Sequence, residues 1–424
     1  MFAEQFAQSA FLRAMRAIKD GHLELICDGH RHHFGNQESP LRATVHVHHS
    51  RFFRQALFHG DIGIGESYMD GDWTSPDVTA VIRLAVRNLT AIEDGNSWFS
   101  AMNRALDVFR HNRRANTVEG SLRNIHDHYD LNNEFFRLFL DTNMVYSCAW
   151  YETPQDSLET AQTQKLDRAC RKLQLRPADH LLEIGTGWGA MAIHAAKNYG
   201  CRVTTTTISR EQYEYASEQV ARAGLTGQIE LLLKDYRHLQ GCYDKLVSIE
   251  MFEAVGFEFY DTFFSTCDRL LTRNGAMLLQ AITINDKKFP VYRRRADWIQ
   301  KYIFPGSQLA SVGGVCASVA RATNMSLYHA EDMGTHYART LHAWSERFHY
   351  ALDSVRALGF DERFIRMWDF YLAYCEGAFL ERHISDIQFL FTKSYAQCAL
   401  LNEPWDEHSS LCLNRASQQT SGAR

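Results

Sequence analysis

The segment His180-Leu-Leu-Glu-Ile-Gly-Thr-Gly-Trp-Gly189 constrains this chain more than any other. A short apolar run ending in alternating glycines reads as a buried strand that turns directly into a helix. Glycines there let a ligand approach the backbone closely, and the helix N-terminus beyond them favours a negative group. The spacing is GxGxG, not the GxGxxG of a dinucleotide turn. The same grammar continues downstream. Residues 190–199 read as helix, 202–207 as strand, 210–223 as helix, and 229–233 and 245–249 as strands. Residues 260–271 read as a helix capped by Asn274-Gly275, and 276–284 as a fifth strand. This alternation predicts an α/β fold with a parallel, Rossmann-like sheet. The remainder, to about residue 400, reads as aromatic-rich and mostly helical.

Upstream the texture differs. Residues 2–19 read as an amphipathic helix with Phe2, Phe6, Met15 and Ile18 on one side. Residues 23–27 and 43–47 alternate apolar and polar, as half-buried strands do. Gly60-Asp-Ile-Gly-Ile-Gly65 has no strand before it and reads as a turn, and a helix is expected from near Asp77 to Asn88. The expected organisation is a small α+β domain at 1–109, a polar and basic linker at 110–120, the α/β domain at 121–405, and a polar tail at 406–424. With 45% hydrophobic and 22% charged residues, a sizeable core is expected. A net charge of −5 argues against nucleic acid as partner. The ten cysteines include no CxxC pair, which suits reduced thiols in the cytoplasm. No apolar run approaches the roughly 18 residues of a membrane span, so membrane contact would be peripheral. The histidines at 30, 32, 33, 46, 48 and 49 lack a completing acid or cysteine, and no metal is expected.

Ligands of open α/β sheets bind at the carboxyl ends of the strands. After the second strand, where a dinucleotide fold places a ribose-binding acid, the chain reads Thr205-Thr-Thr-Ile-Ser-Arg-Glu-Gln212. Thr207, Ser209 and Gln212 would have to bind a ribose there. The third strand ends in Lys234-Asp-Tyr-Arg237, which offers Asp235 to an adenine amino group. Arg293-Arg-Arg295, beside Tyr292 and Trp298, offers a second-choice contact for phosphate headgroups, a solvated charged face being the default.

At this point the chain resembles the cyclopropane fatty acid synthases and mycolic acid methyltransferases. The resemblance rests on His128-Tyr-Asp130, Phe135–Phe139, Tyr146-Ser-Cys148, the segment 182–189, Thr207-Ile-Ser209, Asp235-Tyr-Arg237, Met251-Phe-Glu-Ala-Val-Gly256, Tyr302–Gly306 and Tyr374–Phe379. The segment Glu66–Trp73 also looks like the small N-terminal domain of the bacterial cyclopropane synthases. The resemblance implies a class I methyltransferase domain with helical lipid-pocket insertions. S-adenosylmethionine would be held by Tyr146, Ser147, Glu183, Gly185, Thr186, Gly187, Gly189, Thr207, Ser209, Gln212, Asp235 and Tyr236. Its methyl group would pass to the double bond of an unsaturated phospholipid acyl chain. A bound bicarbonate would then remove a proton to close the cyclopropane ring, since a protein carboxylate against the cation could collapse onto it. Glu253 and Tyr337 would hold that ion, with Cys148 and the backbone at Ile282 alongside.

Two positions depart from the family's pattern. Ala254 and Gln280 stand where its synthases usually have histidine. Glutamine can hydrogen-bond an anion but cannot carry a proton or a charge. A methyl-branched product, or an exocyclic methylene, therefore competes with the ring. Cys375 lies where a nucleophilic cysteine has been proposed in the family, and a packed core thiol is the competing reading. The chain could also be a small-molecule N- or C-methyltransferase on the same fold, or a non-catalytic lipid-binding protein. The expected partners are acyl chains and, peripherally, the anionic inner face of the cell membrane, with a homodimer left open.

Overall fold

The computed structural model describes residues 2–89 and 132–396. The linker expected at 110–120, the tail at 406–424 and the motif at 128–130 lie outside them. The first unit contains α1 (Phe2–Met15), β1 (His22–Cys27), β2 (His30–Gly35), β3 (Arg42–Val47), α2 (Arg51–Met69), β4 (Trp73–Thr74) and α3 (Val78–Arg87). Its sheet runs β2-β1-β3-β4. β1 alternates strictly, with Leu23, Leu25 and Cys27 buried. The buried face of α1 is Ala7, Phe11 and Met15, spaced four apart, with Ile18 just beyond. Phe6, expected on that face, is 60% exposed instead. The glycine cluster at 60–65 is not a free turn. It lies within α2, where Gly60 alone is non-helical (φ 55°) and kinks the helix. Gly65 is there for packing, since a Cβ on it would stand 2.3 Å from the Trp298 indole nitrogen.

Next come α4 (Asn133–Arg137), α5 (Leu158–Leu173), β5 (His180–Ile184), α6 (Ala190–Tyr199), β6 (Arg202–Thr207), α7 (Arg210–Arg222), β7 (Ile229–Leu233), β8 (Tyr243–Ile249), α8 (Tyr260–Leu270) and β9 (Leu271–Ile284). They are followed by α9 (Phe289–Tyr292), α10 (Trp298–Tyr302), α11 (Val312–Ala322), β10 (Met325–Asp332), α12 (Gly334–Tyr350), α13 (Leu352–Ala357), α14 (Glu362–Leu380) and β11 (Ile384–Lys393). The large sheet runs β10-β11-β9-β8-β5-β6-β7. β5 to β9 are mutually parallel, and β11 is antiparallel to both β9 and β10. The five parallel strands fall where the sequence places them. Asn274-Gly275 does not cap α8, because Leu271 is already extended and starts β9. The register of β9 against β8 shifts between Leu271 and Ala276, and the Asn-Gly pair lies in that irregularity. The last two strands are absent from the mostly helical reading of the C-terminal region.

The two units share one core. Phe52, Phe53, Trp73, Ile82 and Leu84 pack in the same cluster as Phe135, Trp344 and Trp368. α3 lies against α14 so closely that a Cβ on Gly377 would stand 2.8 Å from Ile82. Thr79 donates to Glu376 at 3.1 Å, and Arg83 and Arg87 both bind Glu381. Tyr68 donates to Asp369. These contacts hold α2 and α3 of the first unit against α14.

Candidate active site

β5 lies between β6 and β8, and after its first residue it is buried throughout, as a central parallel strand must be. The chain then turns through Gly185 and Gly187 with φ of 103° and 52°. A Cβ on Gly185 would stand 3.0 Å from the Met251 Cβ, so the turn is pressed against the neighbouring loop. A Cβ on Gly187 would meet nothing within 4 Å. That side opens on a cavity of about 1400 Å³. All the residues expected to hold the cofactor line this cavity except Gly189 and Ser209. Gly189 packs on α7, where a Cβ would stand 3.2 Å from Ala216. The Ser209 hydroxyl is committed to the N-cap of α7, accepting from the Gln212 amide at 3.3 Å.

The lining suits a ligand bearing an ammonium, hydroxyls and an adenine. Glu183 Oε2 is buried without a hydrogen-bond partner, and burial pushes the carboxyl's pKa up to about 8. A cation or N–H donor arriving there would satisfy it. Thr207 donates to Gln212 at 2.9 Å, which sets both side chains at the end of β6. Asp235 is held by Arg237 through bonds of 2.9 and 2.7 Å. Burial alone would raise the Asp235 pKa, but the Arg237 contacts outweigh it and keep the group below its ordinary range. Lys165, which also lines the cavity, donates to the Ser147 hydroxyl at 2.7 Å. Its burial lowers its pKa, countered by the acids Glu250, Asp141 and Asp386.

Beyond the glycine turn the cavity passes a cluster of acids at the carboxyl ends of β8 and β9. Glu253, in a single turn after β8, accepts from the Ile282 amide at 2.5 Å. Its Oε2 has no partner, and burial, then the charge of Glu250, pushes its pKa up to about 8. Tyr337, Cys148 and Gln280 converge too, but on a residue that the sequence motifs do not single out. The Tyr337 hydroxyl donates to Glu250 Oε2 at 2.6 Å. The Cys148 amide and Gln280 Nε2 both donate to Glu250 Oε1 at 2.8 Å. Gln280 Nε2 also donates to Asp386 at 2.8 Å, and its carbonyl accepts from Gln388 at 2.9 Å. The expected bicarbonate does not fit here. Each donor assigned to it is already committed to a carboxylate of the chain, Glu250 or Glu253.

Glu250 follows the last residue of β8 and adopts φ 48°. That left-handed conformation costs a non-glycine residue roughly 1–2 kcal/mol. Burial pushes its pKa up, and the donated hydrogen bonds from Tyr337, Cys148 and Gln280 push back. Asp386 is driven well above its ordinary value by burial and then by the charges of Glu250 and Glu253. Donors stabilise the charged form of a carboxylate, and Glu250 accepts from Tyr337, Cys148 and Gln280 whereas Asp386 accepts from Gln280. Cys375 also lines the cavity, but burial and then Asp297 push its thiol up, which disfavours a nucleophilic thiolate.

The rest of the cavity is mostly apolar. It runs between Tyr371, Phe370 and Phe304 to Phe11, Met15, Leu25, Val45, Phe52 and Ile82 of the first unit. Lys287, Lys288 and Arg295 also line it. Of the three arginines singled out from sequence, Arg295 lines the cavity, while Arg293 lies over the Phe257 ring at 4.5 Å. Lys287 and Lys288 are exposed, and nothing in the sequence pattern marks them.

This sheet, its glycine turn and the cavity against it define a class I S-adenosylmethionine-dependent methyltransferase. The fold matches the cyclopropane synthase MmaA2 from Mycobacterium tuberculosis at a TM-score of 0.60 and 30% identity, over 64% of this chain and 98% of that one. The chain belongs to the mycolic acid cyclopropane synthetase family, whose model matches residues 117–389. It is similar to the tuberculostearic acid methyltransferase UfaA1 of Mycobacterium tuberculosis, at 38% identity over 78% of each chain. It is similar as well to the cyclopropane-fatty-acyl-phospholipid synthase of Escherichia coli, at 38% identity over 83% of this chain and 88% of that one.

Proposed function

We propose that the protein transfers the methyl group of S-adenosylmethionine to the double bond of an unsaturated acyl chain in phospholipid, and that the product is a cyclopropane. The observation that carries this reading is one continuous cavity. It joins the glycine turn to the buried acids and continues as an apolar channel walled by the first unit. At about 1400 Å³ it exceeds the roughly 300–1,000 Å³ of ordinary small-molecule sites. The likeness to the phospholipid synthase supports it further, because that match covers 83% of the chain, more than the family model's span.

The residues divide the work. Glu183, Thr207, Gln212 and Asp235 would anchor the amino, ribose and adenine groups, and Gly187 leaves room for the methionine part. The cofactor supplies an electrophilic methyl on sulfur. An alkene is a weak nucleophile, so Tyr146, Phe304 and Tyr371 would hold it in line and exclude water. Methyl addition leaves a carbocation, and a base must remove one proton from the added methyl for a ring to close.

A second reading is favoured by the likeness to UfaA1 and by the glutamine at 280, namely a fatty acyl C-methyltransferase that leaves a branch. Incubation with unsaturated phospholipid vesicles separates the two. Mass and NMR analysis should show one added CH2 and upfield cyclopropyl protons. A product with retained olefinic protons supports the branch, and no lipid product rejects both.

Among the described residues no helix is long and apolar enough to cross a membrane. Reversible docking at the cavity mouth would serve instead. Exposed Lys287 and Lys288 line the cavity there with Val291, which is 54% exposed. Each basic residue near an anionic surface contributes about 1 kcal/mol and is screened by salt. Replacing Lys287 and Lys288 by glutamate should weaken co-sedimentation with anionic vesicles by more than about tenfold at low salt. Equal binding to neutral and anionic vesicles at all salt concentrations would contradict this docking mode.

A further inference from the structure

We propose that Glu250 is the catalytic base, a carboxylate of the chain standing in place of a bound bicarbonate. The proposal rests on the lipid methyltransferase reading and deepens it at the same site. Four observations carry it. The donors that would cradle a small planar oxyanion, Tyr337 Oη, the Cys148 amide and Gln280 Nε2, all end on the two Glu250 oxygens. Glu250 lines the cavity together with Glu253, Tyr337 and the glycine turn. It holds a backbone conformation that glycine would adopt without strain, which marks a position kept for its side chain. Glutamine stands at 280, and a neutral donor serves a carboxylate already tied to the chain without needing a positive charge to retain it.

The step balances. The bond from sulfur to methyl breaks as the alkene electron pair forms the new carbon–carbon bond, releasing S-adenosylhomocysteine and leaving a carbocation. Glu250 accepts a proton from the added methyl, and the freed C–H pair closes the ring. The carboxyl gives that proton to solvent after the products leave. Collapse of the carboxylate onto the cation is opposed by the same cradle. Proton transfer proceeds at hydrogen-bond distance of about 2.6–3.2 Å, whereas a C–O bond would require a Glu250 oxygen to close to covalent distance against the donors that hold the carboxylate.

The test compares the full-length protein with Glu250→Gly and Glu250→Gln, using unsaturated phospholipid vesicles in buffer stripped of carbon dioxide. The wild type should keep full turnover there, gain nothing from added bicarbonate, and show no calorimetric heat on bicarbonate titration. Both variants should retain S-adenosylmethionine affinity and lose at least about a hundredfold in turnover. Glu250→Gly, with its cradle emptied, should bind bicarbonate and recover part of its activity when it is added; Glu250→Gln should not. Wild-type activity that vanishes without bicarbonate and returns with it would overturn the assignment while leaving the lipid methyltransferase reading intact. Near-normal turnover of Glu250→Gln would overturn it too. Absence of any methylated lipid from the wild type would instead reject the proposed function and this base with it.

Discussion

At the scale of the residue, the cofactor end of the site depends on one missing side chain. Gly187 has φ 52° and faces open cavity, so any Cβ there intrudes on the ligand and strains the turn. Gly187→Val should abolish calorimetric S-adenosylmethionine binding. Far-UV circular dichroism should be unchanged, since a Cβ at this position meets no protein within 4 Å. Undiminished affinity would place the cofactor elsewhere. Much of this site is legible in sequence, because glycines, strand-end hydroxyls and acids announce themselves by local spacing. Glu250 does not. It reads as one acid beside another at a strand end, and its partners Cys148 and Tyr337 lie 102 and 87 residues away. Its one trace in the sequence is the pair of departures at Ala254 and Gln280, which remove the positive charge a free anion would use.

At the scale of the element, the five parallel strands are legible because short apolar runs alternate with helical periodicity. β10 and β11 are not. β10 is an edge strand whose residues are largely exposed, and β11 has neither a crossover helix nor alternation to mark it. β10 is pinned by Glu331, which accepts from Arg168 and from Lys172, the latter at 2.7 Å. Burial alone would raise the Glu331 pKa, but these contacts lower it from 4.5 to about 2. Stability from this group is thus full above about pH 4.5 and is lost as pH falls toward about 2. Lys172 is itself lowered to about 8 by burial, which offsets part of the gain. Glu331→Gln should destabilise by roughly 1–3 kcal/mol at neutral pH and flatten the acid limb of a stability–pH curve. An unchanged curve would contradict the pinning.

At the scale of the whole molecule, the first unit is a wall of the active site rather than an appendage. Its sheet and α3 close the apolar end of the cavity, and its packing on α14 holds that end in place. Ala85 lines the cavity from α3. Ala85→Trp should shift product from long acyl chains toward shorter ones in mixed vesicles while leaving S-adenosylmethionine affinity unchanged. An unaltered chain-length distribution would move the acyl path elsewhere. Composition foretells a large core but not this shared cavity, since the residues that enclose it belong to segments hundreds of positions apart. The most direct test of lipid cyclopropanation uses S-adenosylmethionine deuterated in its methyl group with unsaturated phospholipid vesicles. Labelled cyclopropane should appear within the acyl chain, with one deuteron lost to the enzyme's base. A fully deuterated methyl on the lipid, or label carried only by a soluble amine, would contradict it.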